Sequence, residues 1–74
     1  MTDTNALKQL IADSGIKYAF ISKELGISPS SLYNKVNNIT EFTQSEIEGM
    51  CAILHITKLK DRQEIFFAKN VHET

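Results

Sequence analysis

Four polar side chains at helical spacing carry the clearest chemistry in this chain. Ser30, Tyr33, Asn34 and Asn37 recur at i, i+3, i+4 and i+7, so on a helix they share one face. They offer hydroxyls, a phenol and two amides, with no carboxylate among them. Such groups donate to phosphate oxygens, and an Asn amide pairs in both directions with adenine in the major groove. Leu32 and Val36, spaced i, i+4, point the opposite way and mark the buried side of the same segment.

Catalytic and metal chemistry find no comparable set. Cys51 lies on an apolar stripe with Ile47, Met50 and Leu54, where a cysteine behaves as a small hydrophobe. His55 and His72 are far apart and lack cysteine or acidic neighbours at ligand spacing. No Ser-His-Asp or Cys-His arrangement, glycine-rich phosphate loop or paired-carboxylate site can be assembled. The expectation is a protein that is not an enzyme and needs no cofactor or metal.

The elements that position the polar face follow from end signals. Leu7, Leu10 and Ile11 predict a first helix, capped by Thr4 or Asn5 and closed at Gly15, with Ile16 as a buried link. A second helix runs from about Tyr18 to Leu25, where Gly26 ends it. Ser28-Pro29 starts the third, as an N-cap followed by proline at the first helical position, and it reaches about Asn37. Thr43-Gln44-Ser45-Glu46 is a capping box, with Phe42 and Ile47 at the two positions of a hydrophobic staple. A fifth helix is expected to begin near Asp61 and to carry Ile65, Phe66 and Phe67. With three glycines and one proline in 74 residues, each is expected to mark a boundary. No stretch alternates with period two, so no sheet is expected.

Only Gly26-Ile27-Ser28 separates the second and third helices, which makes a tight corner. Ser22 is small enough to let the two approach, while Ile21, Leu25, Ile27 and Leu32 supply the apolar contact. Two short helices meeting at a glycine turn form a helix-turn-helix. Charge is distributed to match. The chain has a net charge of −1, but residues 15–40 hold Lys17, Lys23 and Lys35 against Glu24, whereas residues 41–56 hold Glu41, Glu46 and Glu48 with no Lys or Arg. A positive middle segment suits a polyanion better than the total does. No run approaches the roughly 20 apolar residues of a membrane span, and one unpaired cysteine fits a reducing cytoplasm.

Residues 16–37 resemble the helix-turn-helix of the phage Cro and lambda-repressor type, also called the XRE family. The overlapping stretch "YAFISKELGISPSSLYNKVNN" is similar to short regulators of temperate phages of Gram-positive bacteria. The resemblance continues through "FTQSEIEGMCAILHI" and "RQEIFFA", from Leu7 to Ala68. It implies an all-α, five-helix, lambda-repressor-like bundle forming one domain over residues 1–74, whose third helix enters the major groove of an operator, usually as a dimer. It also implies that Tyr18 sits beside a phosphate or base, where members often have Gln. There are departures: Ser22 replaces the usual Ala, Lys17 a common Thr or Ser, and Lys35 a frequent apolar residue, with Val36 available to take over its packing. Pro29 occupies a position that many members use for base contact, which shifts base reading to Ser30, Tyr33 and Asn34.

The expected DNA-binding set is Lys17, Tyr18, Ser28, Ser30, Ser31, Tyr33, Asn34, Lys35, Asn37 and Asn38, acting on a double-stranded operator. The expected dimerisation set is Ile65, Phe66, Phe67 and Val71, because adjacent rings lie about 100° apart on a helix and cannot both point inward. A homodimer is the expected assembly. The alternative is an interaction module of the same fold whose partner is another repressor protein, an alternative that the acidic fourth helix favours.

Overall fold

The computed structural model describes residues 1–69. Asp3, not Thr4 or Asn5, caps α1 (Thr4–Ser14): its Oδ1 accepts from the Ala6 N–H at 3.1 Å. Gly15 closes the helix at φ +73°, a left-handed conformation that glycine adopts without a Cβ penalty. Ser14 turns away from the core, donating to the Ile11 carbonyl and accepting from the Ile16 N–H. Leu7 and Ile11 form the buried stripe.

The corner between α2 (Tyr18–Leu25) and α3 (Pro29–Val36) is built as its residue types dictate. Gly26 takes φ +72° and donates to Lys23 O at 3.1 Å, and Ile27 N–H reaches back to Ser22 O at 3.0 Å. Those bonds satisfy the Ser22 and Lys23 carbonyls in the last turn of α2. Ser28 Oγ then accepts from the Ser31 N–H at 3.1 Å and starts α3, with Pro29 at its first position. Ile21, Ser22, Leu32 and Val36 are all buried, so the two short helices share one apolar interior.

Both halves of the capping box form at α4 (Gln44–Leu54). Thr43 N–H donates to Glu46 Oε1 at 2.8 Å, and Glu46 N–H donates to Thr43 Oγ1 at 3.2 Å. Ile47, Met50 and Cys51 are its buried residues. The helix ends at His55, a non-glycine at φ +59°. Gly49 overturns the expectation that each glycine marks a boundary, since it lies inside α4. A Cβ added there would come within 2.5 Å of Leu25 Cδ2; the glycine lets α2 lie close on α4.

The last helix, α5 (Leu59–Phe66), starts two residues earlier than expected and without a side-chain cap, following Lys58. Asp61 sits in its first turn, where its charge still suits the helix dipole. Ile65 and Phe66 are buried, and the Phe66 ring meets Phe42 edge-on, with centroids 5.5 Å apart and planes at 89°. The residues of the expected dimerisation set are therefore placed differently. Ile65 and Phe66 (4% exposed) close the core of a single chain, and Phe67 (51% exposed) is the ring that faces out. Val71 and His72 lie outside the described residues. Five helices and no strand make up the described residues, an all-α helix-turn-helix fold. No helix among them is long and apolar enough to cross a membrane.

Candidate nucleic-acid interface

The third helix presents two faces as its spacing requires. Leu32 and Val36 are fully buried, whereas Ser30 and Tyr33 (56% exposed) stand in solvent and Asn34 is half-buried. Their hydroxyl, phenol and amide groups are therefore carried by a helix fixed from behind. Asn37, also half-buried, folds its amide back on the helix end, Nδ2 donating to Tyr33 O at 2.9 Å. Ile39 N–H donates to Asn34 O at 2.8 Å, tightening the final turn.

Several of the expected DNA-binding residues have structural work in the chain itself. Ser28 uses its hydroxyl as the α3 cap, 3.4 Å from Ser30 Oγ, and half-buried Ser31 supplies the N–H that the cap accepts. Lys35 does not reach outward. Its Nζ lies 3.0 Å from Glu46 Oε1 and 3.0 Å from the Glu41 carbonyl, with the two ion-paired side chains only 12% and 13% exposed. The physical reason is that the Lys35 side chain is largely shielded, so its stem lies along the bundle while its charge finds the capping-box carboxylate. Asn38 is at φ +64° and both ends of its amide are bound to Thr2. In the free chain the Lys35 ammonium and the Asn38 amide are thus both engaged by groups of the chain itself.

The Lys35–Glu46 pair joins α3 to the start of α4 through a single carboxylate oxygen, because the same Oε1 accepts from Thr43 N–H. Burial pushes the Glu46 pKa up. The Thr43 backbone hydrogen bond and the Lys35 ammonium outweigh this and hold it below its ordinary value. Nothing local in the sequence connects Lys35 with Glu46, since a loop lies between them. Thr2 and Thr4, which hold Asn38 and the α3 terminus, are likewise illegible in the sequence. The exposed ring of Phe20 on α2 is a further residue outside the expected set, although its position beside buried Ile21 signals an outward side chain.

At the other end of the motif, Lys17 is exposed and precedes α2 with no side-chain cap. An exposed lysine thus immediately precedes a helix N-terminus that has no side-chain cap, two features that favour an anion. Tyr18 is half-buried against the core, and burial raises its pKa, so the phenol stays a hydrogen-bond donor. Lys23 is a second exposed cation on α2. Cys51 is buried, and desolvation pushes its thiol up, against the thiolate that nucleophilic chemistry requires.

No curated protein and no solved structure matches the chain significantly. The family profile of the Cro/C1-type HTH DNA-binding domain does match, over residues 6–61. That span runs from the first turn of α1 to the start of α5, well over half of the chain, and encloses the corner, the polar face of α3 and Lys17. The chain belongs to the Cro/C1-type helix-turn-helix DNA-binding family.

Proposed function

We propose that this chain is a Cro-like transcriptional repressor of phage or prophage origin, acting in the cytoplasm as a homodimer on a near-palindromic operator. The observation that carries the reading is the α3 outer face: hydroxyl, phenol and amide groups without a carboxylate, on a helix whose back is wholly buried. In this reading Tyr33, Asn34 and Ser30 meet base edges, and Asn37 meets bases or the sugar-phosphate chain near the helix end. Lys17, Tyr18 and the first amides of α2 hold a phosphate, with Lys23 available for a second. Phe67 is the apolar group around which a two-fold contact forms.

A second reading draws on the same charges. Lys35 is neutralised by Glu46, and Glu41 and Glu48 are exposed, which weakens the positive field and suits a module that binds a partner repressor. A gel shift against the intergenic DNA upstream of the protein's own gene, with and without a neighbouring repressor, separates the two. Binding by the chain alone supports the repressor. A shift that appears only with the second protein supports the partner module.

A further inference from the structure

Residues 1–3 and the first residue of α1, Thr4, lie between the two ends of the molecule that the proposed function uses. Thr2 is polar yet buried. Its N–H donates to Asn38 Oδ1 at 2.8 Å and its carbonyl accepts from Asn38 Nδ2 at 2.6 Å. One side-chain amide thus copies both bonds of a strand pairing. Thr4 Oγ1 donates to the carbonyl of Val36, the last residue of α3, at 2.7 Å, and accepts from Asn38 Nδ2 at 3.2 Å.

The opposite edge of the same segment pairs with the end of α5. Asp3 N–H donates to Ile65 O at 2.7 Å, and Ala68 N–H donates to Met1 O at 2.8 Å. Residues 1–4 are therefore a strap with two bonded edges, one on the third helix and one on the fifth. Asn38 holds it from a left-handed backbone conformation that glycine would adopt more easily. What asparagine adds there is the amide that grips Thr2.

We propose that Asn38 and Thr4 are positioning residues that tie the C-terminal end of the third helix to the end of α5 through this strap. The seating of α3 and the surface that carries Phe67 are then energetically coupled. By reciprocity, DNA held at α3 and self-association at Phe67 change each other's affinity by the same factor. That last consequence rests on the DNA-binding reading above; the coupling itself does not.

The test uses the full chain and three variants. Asn38→Gly removes the amide while relieving the backbone, Thr4→Val removes the hydroxyl, and Thr4→Ser restores it. Amide hydrogen exchange followed by NMR in the free protein reads the coupling. Asn38→Gly and Thr4→Val should speed exchange of the Asp3 and Ala68 amides about tenfold, with much smaller changes at Ile21 and Met50, and Thr4→Ser should restore the wild-type rates. Unchanged exchange at Ala68, or an equal acceleration at all four amides, overturns the coupling. With DNA, the ratio of operator to random-sequence affinity should fall about tenfold in Asn38→Gly and Thr4→Val and recover in Thr4→Ser. An unchanged ratio overturns the positioning role. Should the wild-type chain bind no DNA, the proposed function fails, and exchange at Ala68 still decides the coupling.

Discussion

Salt dependence of DNA binding can be worked out from which lysines are free. Three lysines lie in the positive middle segment, but Lys35 is held 3.0 Å from Glu46 with little exposure, leaving Lys17 and Lys23 to meet phosphates. Each phosphate neutralised contributes a slope of about −0.9 in log affinity against log salt. One to two neutralised phosphates per protomer then predict about −2 to −4 for a dimer, shallower than three free lysines would give. Raising salt from about 50 to about 200 mM should weaken binding by one to two orders of magnitude. Fluorescence anisotropy on a labelled operator, titrated with KCl, measures this directly. Lys17→Gln should flatten the dimer slope by about 1.8, because each protomer then neutralises one phosphate fewer. Lys35→Gln should leave the slope unchanged and lower thermal stability instead. If Lys35→Gln flattens the slope as much as Lys17→Gln does, Lys35 leaves Glu46 on DNA and the reasoning fails.

Three further outcomes follow from the same geometry. Tyr33→Ala or Asn34→Ala should reduce operator binding by about 1–3 kcal/mol and leave folding intact, whereas Leu32→Ala, at a fully buried site, should destabilise the fold by about 2–5 kcal/mol in a denaturant titration; equal losses by Asn34→Ala on operator and random DNA would remove its base-reading role. Because the folded-state pKa of Glu46 is lowered, its contribution to stability is present above the ordinary carboxyl value and is lost as pH falls through the folded value. The melting temperature of Glu46→Gln should accordingly lie below wild type near neutrality, with the gap closing in acid; a gap independent of pH would mean that the carboxylate charge is immaterial. Phe67→Glu should shift sedimentation toward monomer while the chain stays folded, and an unchanged sedimentation coefficient would place the dimer interface elsewhere.

Local chemistry is legible in the sequence where a residue type has one conformational use. Gly15 and Gly26 in left-handed turns, Pro29 after its Ser28 cap and the Thr43–Glu46 box each appear where their types require. The two faces of α3 are readable for the same reason, since helical spacing alone separates Leu32 and Val36 from Ser30 and Tyr33. Illegible are bonds between distant segments. Lys35 reads as a surface cation until folding places Glu46 beside it, and Asn38 reads as a polar loop residue until Thr2 arrives from the other end of the chain. The start of α5 is misplaced from sequence because Asp61 resembles a cap, whereas the helix begins uncapped at Leu59, held by the burial of Ile65 and Phe66.

The close approach of Leu25 to Gly49 links the evolutionary freedom of two positions. A glycine inside a helix forgoes about 1 kcal/mol relative to alanine, so helix propensity alone favours Gly49→Ala. The added methyl would crowd Leu25 Cδ2, and moving that side chain off its rotamer costs about 0.5–1.5 kcal/mol. The single change is therefore close to neutral. Paired with Leu25→Val, which withdraws the offending carbon, the helix gain is retained, and stability should exceed the sum of the two single effects. With Leu25 retained, residues larger than alanine at position 49 should push α2 away from α4 and tilt the α2–α3 corner with it. Among related chains positions 25 and 49 should accordingly vary together, a large side chain at one going with a small one at the other, so that a change which leaves the polar face of α3 untouched would still alter how that face meets DNA.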